Sequence, residues 1–384
     1  MKMFHLSYMT LILLSVLGYL SVYAIRSSGS TETRVVTSEQ NDSMRCLSDR
    51  RWVSQTLMAL VTPSQLDGMG ALISSGGVGG IALASDFSAG QAKQLSALNS
   101  DLHVPLIIAS DEEGGIVQRL TAAIYRLPSA NSLAGMQLEE VEELFYDYGT
   151  QLKELGVDVA FGPVVDVGSG AGIGSRSISS DKQVVVDYAS AVINGYKRAG
   201  VLPVLKHFPG HGTANVDSHI SLPTTNSLES LIENELSVYQ ALLKPSVGVM
   251  VGHLSVPGLT ESPTSLSPRA VGLLRGEVSN QPVGFDFGGL VFSDALNMGA
   301  ITSNYSADEA SLLALKAGVD VLVMGSPDEL KPTISAILAS IDSGELGWEE
   351  IDASVERILE YKNVAVYRCS SPSNQNKVEV FSEQ

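Results

Sequence analysis

Seven short apolar runs recur along the chain, each separated from the next by a longer stretch of helical periodicity. They are GVGGIALAS (77–85), VPLIIASDEEGG (104–115), VDVAFGPVVDV (157–167), VLPVLKHFPGH (201–211), VGVMVGHLSVP (247–257), GGLVFSDALNM (288–298) and GVDVLVMGS (318–326). Runs rich in Val, Ile and Leu suit strands buried on both faces, which belong to parallel sheets. The spacers include QAKQLSALNSDL (91–102), SLESLIENELSVYQALLK (227–244) and ADEASLLALKAG (307–318), which read as helices. This alternation is that of an α/β protein, and a closed (β/α)₈ TIM barrel, regular or irregular, fits it best. An eighth strand is expected near 124–135 or 170–180. A doubly wound open sheet is the alternative. It lacks a phosphate loop, because GSGAGIGSRS does not run directly from an apolar strand into a helix.

Polar residues cluster where the apolar runs end. Asp111 follows LIIAS, Lys206 and His207 follow LPVL, His253 follows VMVG, and Asp294 follows LVFS. In a barrel these positions share the C-terminal rim, where barrel active sites form. One such residue is more often a satisfied structural group. Several at a common offset in successive units argue for a site. The stretch KHFPGHGTANVDSH (206–219) adds three histidines to it. A metal reading of His207, His211 and His219 is weak, because Pro209 and Gly210 interrupt the stretch and nothing makes the rings converge.

The chain of 384 residues carries a formal charge of −18. With few clustered Lys and Arg, the acidic chain argues against nucleic acid as a partner. Residues 1–24 contain the apolar run YMTLILLSVLGYLSVYA (8–24). They read as a signal peptide with a small-residue cleavage site, or as an uncleaved membrane anchor. Residues 25–45 read as a polar linker, 46–369 as one catalytic domain, and 370–384 as a flexible tail. Cys46 and Cys369, the chain's 2 cysteines, bracket that domain. Export would favour a disulfide between them, with two free thiols as the alternative.

Taken together, SDEEGGIVQRL, FGPVVDV, SRSISSD, KHFPGHGTANVDSHISLP, VGHLSVP and VFSDALNM resemble the bacterial β-N-acetylglucosaminidases of glycoside hydrolase family 3. The motifs come in the family's order over roughly residues 50–362. The resemblance implies a barrel and retaining hydrolysis of terminal β-linked N-acetylglucosamine in cell-wall turnover. It implies a small carbohydrate or muropeptide substrate, and no metal or organic cofactor. The chain is too short for the second, sandwich domain of many members, which points to the single-domain branch.

The resemblance also implies roles. Asp294 is the expected nucleophile, although Ala295 stands where a second acid is usual. His219 is the expected acid/base, oriented by Asp217. A histidine titrates near neutral pH, and a carboxylate partner holds its ring. If the local chain is extended, the DSH spacing puts both side chains on one side. Asp111, Arg119, Arg176, Lys206 and His207 are expected to bind sugar hydroxyls, and His211 to be structural. Glu112 and Glu113 should point oppositely, as neighbours in a strand do, and Glu113 is read as structural. Two other functions remain open. Phosphate could replace water at the same site, since a histidine acid/base repels an anion less than a carboxylate. A non-catalytic sugar-binding barrel is the other.

Overall fold

The computed structural model describes residues 46–276 and 284–370. The signal or anchor segment, the linker and the tail after Ser370 lie outside the described residues.

Eight parallel strands form one sheet. In chain order they are β1 (Leu57–Val61), β2 (Gly80–Leu83), β3 (Ile107–Ser110), β4 (Val159–Val164), β5 (Leu202–Phe208), β6 (Gly248–Val251), β7 (Val291–Ser293) and β8 (Leu322–Met324). Their spatial order follows the chain from β1 to β7, and β8 pairs with β1. A single parallel bridge, Phe292 to Val321, brings β7 to β8 and nearly closes the barrel. Seven of the strands lie in the seven apolar runs. The eighth is LMALV at Leu57–Val61, not 124–135 or 170–180. The first of those regions holds the short helix Ala130–Leu133, and its apolar Ile124, Leu127 and Leu133 are buried in the core outside the barrel. The second is a glycine-rich loop ending in the turn Gly174–Arg176.

The period-two alternation of each strand divides the core. Met58, Ile107, Ala109, Phe161, Val204, Met250, Phe292 and Val323 fill the barrel interior. The Phe161 and Phe292 rings meet edge to face there, 5.5 Å apart. Leu57, Ala59, Val61, Ile108, Leu205 and Val249 point outward into the larger core beneath the helices. Helix ends carry the expected chemistry. Ser306 and Glu309 form a capping box before Ala307–Ala317, and Gly318 ends that helix at φ 95°. The single helix expected over 227–244 is two, Leu228–Glu233 and Glu235–Leu242, broken at Asn234. The Asn234 side chain donates to the Ser230 carbonyl and competes with regular helix there.

Two register shifts make the barrel irregular, between β4 and β5 at Phe161/Gly162 and between β5 and β6 at Leu205/Phe208. The second interrupts alternation at Lys206 and His207. At the opposite end, Asp320 is fully buried and receives Arg275 at 2.6 Å and Arg357 at 2.8 Å. Cys46 and Cys369 are bonded, with Cα atoms 5.0 Å apart. They sit where the two-residue strands Cys46–Leu47 and Tyr367–Arg368 pair in parallel.

Candidate active site

At the C-terminal rim the residues after β3 turn into a small antiparallel hairpin, Glu112–Gly114 with Val117–Gln118. Asp111 precedes it and Arg119 follows it. Asp111 receives Lys206 Nζ at 2.7 Å and Arg119 Nη2 at 3.3 Å. Glu113 faces the same cleft. Arg176 donates to it through Nε at 2.8 Å and Nη2 at 2.9 Å, and Lys206 Nζ lies 2.5 Å away. Burial alone would raise both carboxyls, but Lys206 and the arginines hold both below their usual range, Glu113 at about 2. Glu113 thus has the structural role read for it, holding Lys206 and Arg176, two of the expected sugar ligands, in place. Glu112 points the other way, as alternation requires. It accepts from Ser110 and Tyr148, and burial pushes its carboxyl up to about 7.

Lys206 is 2% exposed and uses two of its three N–H bonds on these carboxylates, leaving one for a substrate oxygen. His207 is nearly buried, with both ring nitrogens engaged. Nδ1 lies 2.7 Å from Asp166 Oδ2 and Nε2 lies 3.2 Å from Arg176 Nη2. Asp166 donating nothing, His207 gives it Nδ1–H and accepts at Nε2. A sugar reaches His207 only by sharing Nε2 with Arg176. Asp166 also accepts the backbone N–H groups of His207 and His211. Sequence reasoning missed Asp166, although it stands two residues beyond β4, at the strand end where the others cluster.

Asp294 directly follows β7. Its N–H donates to the Val251 carbonyl and its Oδ1 accepts the Ala295 N–H at 2.8 Å. Burial would raise this carboxyl, but the Ala295 N–H it accepts and the nearby Lys206 ammonium help to draw it below the usual value. His253 is fully buried behind it. The ring bonds Ser265 Oγ at 2.7 Å and the Ala295 carbonyl at 3.0 Å, so it braces the Asp294 turn.

Asp217 and His219 lie on the loop beyond β5. Asp217 Oδ1 accepts both the His219 backbone N–H and ring Nδ1, each at 2.9 Å. The pairing comes from a turn and not from an extended strand: the Ile220 N–H returns to the Asp217 carbonyl. An Asx-type turn brings the ring back onto its own carboxylate, which an extended backbone does not do. The His219 N–H, then burial, set the Asp217 carboxyl, and the net shift is downward. His211 Nε2 lies 3.2 Å from Ser218 Oγ, between the two.

These side chains line two adjoining chambers. A polar one of ≈ 140 Å³ holds Glu113, Arg176, Lys206 and His207. A larger one of ≈ 290 Å³ is walled by Leu60, Phe161, Met250, Ala295 and Val323. Asp111, Arg119, His219, Asp294 and Met298 border both. Every residue expected to bind sugar thus faces or adjoins one cleft, with Asp217 just outside its wall. Among the described residues no three His, Cys, Asp or Glu side chains converge to hold a metal ion. The three histidines of 206–219 are bonded instead to Asp166, Ser218 and Asp217.

Known proteins share the sequence pattern and fold of this chain. A model of the glycosyl hydrolase family 3 N terminal domain matches residues 53–361. The beta-hexosaminidase LpqI of Mycobacterium tuberculosis is 41% identical over 304 residues, covering 76% of this chain and 77% of LpqI. A solved structure of M. tuberculosis LpqI superposes with TM-score 0.77 at 38% identity, covering 82% of this chain and 94% of that one. A family 3 β-N-acetylglucosaminidase from Paenibacillus sp. str. FPU-7 gives TM-score 0.74 at 31% identity, over 88% of this chain and 69% of that one. With the family match extending over most of its length, this chain belongs to glycosyl hydrolase family 3.

Proposed function

We propose that the chain is a retaining exo-β-N-acetylglucosaminidase. It releases terminal β-linked N-acetylglucosamine from cell-wall fragments after export. The relatives named above support the activity, since they are a beta-hexosaminidase and a β-N-acetylglucosaminidase. One observation carries the mechanism. His219 and Asp294 border the same cleft, and the His219 ring is held there by Asp217 Oδ1 at 2.9 Å. A retaining glycosidase needs a nucleophile and an acid/base. Asp111 and Glu113 are locked as carboxylates by Lys206, Arg119 and Arg176, so neither has a proton to give. Glu112 faces away from the cleft.

In this reading Asp111, Arg119 and Lys206 orient the sugar through its hydroxyls, with Arg176 fixed by Glu113. Asp294 attacks the anomeric carbon as the bond to the leaving oxygen breaks. His219 Nε2 gives that oxygen a proton, while Asp217 stabilises the charged ring. Water then attacks the glycosyl-aspartate, His219 takes its proton, and Asp294 leaves as carboxylate. Two inversions give retention.

Proton NMR of the first-formed sugar tests the proposal. An aryl β-N-acetylglucosaminide should give the β-anomer first, with far slower turnover of the aryl β-glucoside. Initial release of the α-anomer would refute the glycosyl-enzyme. Sugar 1-phosphate as the main product in phosphate buffer would replace hydrolysis with phosphorolysis.

A further inference from the structure

We infer that Gly299 is a positioning residue, whose missing side chain lets the helix after β7 hold the His219 loop over Asp294. This rests on the reading of His219 as acid/base. The tip of the loop has little packing of its own: His219 is exposed, and Ile220 is 75% exposed. Three hydrogen bonds tie Ser218 and His219 to the rest of the site. The Gly299 N–H donates to the His219 carbonyl at 3.2 Å, and the Ala300 N–H donates to the Ser218 carbonyl at 3.0 Å. The third is the His211–Ser218 contact at 3.2 Å.

These bonds require close approach. A Cβ on Gly299 would lie 2.5 Å from the Ile220 oxygen and 2.6 Å from the His219 oxygen. Both are backbone atoms, so no flexible side chain end can swing away. The helix side cannot yield either. Ala300 and Ile301 are fully buried, and Asp294 and Leu296 are bonded to Val251 and Val323 of neighbouring strands. The loop is the part that moves. The turn from Asp294 to Gly299 thus carries the nucleophile at one end and the support of the acid/base at the other. Displacing the loop leaves Asp294 in place and removes His219 from it.

Gly299→Ala therefore has a kinetic signature. With an activated aryl β-N-acetylglucosaminide, leaving-group departure needs little acid, so the glycosyl-enzyme still forms. Its hydrolysis needs His219 as base and slows. Azide is an anion that attacks the anomeric carbon without a base, displaces the Asp294 carboxylate and yields the β-glycosyl azide. Steady-state turnover of Gly299→Ala should fall at least about tenfold, with a burst of aryl product, and azide should restore most of it. Ser218→Ala, which adds no volume and removes only the His211 contact, should show a smaller, azide-rescued loss of the same step. It also serves if Gly299→Ala does not fold. His219→Ala is run alongside. If azide rescues His219→Ala but not Gly299→Ala or Ser218→Ala, the positioning role falls while the acid/base reading stands. Turnover within about twofold of wild type in Gly299→Ala would also overturn it. If His219→Ala itself is not rescued, the acid/base reading fails, and the inference with it.

Discussion

Replacing Glu113 by Gln keeps its shape and removes one negative charge from a site that is 1% exposed. Lys206 and the Arg176 fork then lose the partner they share. The cost follows from the carboxyl itself. Its proton affinity falls from an ordinary 4.5 to about 2, because Lys206 and Arg176 overcome the opposing effect of burial. At about 1.4 kcal/mol per tenfold, that is worth about 3 kcal/mol. It agrees with the roughly 3–5 kcal/mol expected when one partner of a buried ion pair is removed. The stabilisation is present above pH 4.5 and is lost as pH falls through about 2. For a domain of roughly 320 residues, about 3 kcal/mol lowers Tm by about 4 °C. Calorimetry at pH 7 should show that difference between wild type and Glu113→Gln, shrinking as the pH approaches 2. Loss of aligned charge-assisted hydrogen bonds to substrate should also lower kcat/KM by about 30-fold. A Tm within about 1 °C of wild type at pH 7, or a difference unchanged by acid, would refute the reasoning.

Other perturbations separate the two ends of the barrel and the two adjacent glutamates. Glu112→Gln should flatten part of the fall in stability between pH 4.5 and about 7. Burial raises the Glu112 carboxyl from 4.5 to about 7, so its contribution is complete below pH 4.5 and lost as pH rises through 7. Tm measured between pH 5 and 8 checks this, against a background from Glu235, which burial also raises to about 7. Asp320→Asn should cost about 3 kcal/mol in urea unfolding by stranding Arg275 and Arg357, yet leave KM unchanged, because it lies at the end opposite the cleft. Reduction of Cys46–Cys369, or Ser at both positions, should destabilise by about 3 kcal/mol with little effect on kcat, read by calorimetry with and without reductant.

The barrel was legible because a two-sided buried strand leaves a short apolar run, and seven such runs alternate with helical spacers. Leu57–Val61 was the exception. It follows the short helix Asp49–Val53 and the turn Ser54–Thr56 without a glycine or proline to mark its start. The break at Asn234 was hidden for the opposite reason, since apolar periodicity continues across it. Strand-end offsets pointed to Asp111, Lys206, His207 and Asp294. The same rule applied to VVDV finds Asp166, whose role depends on contacts with His207 and His211 some forty residues away. Glu113 was read as structural, but sequence alone does not show that its partners are Lys206 and Arg176 on other elements of the barrel. The Asp217–His219 contact depends on a turn, and a turn is set by local backbone hydrogen bonds more than by side-chain spacing.

The central claim is that Asp294 attacks the sugar and His219 moves the protons. Intact-mass analysis of His219→Ala mixed with an activated aryl β-N-acetylglucosaminide tests it most directly. The account predicts a burst of aryl product, a mass increase of one N-acetylhexosaminyl unit, and a labelled peptide containing Asp294. Asp294→Asn should show neither burst nor adduct. No adduct on His219→Ala, or a label on the peptide carrying Asp111 and Glu113, would contradict it.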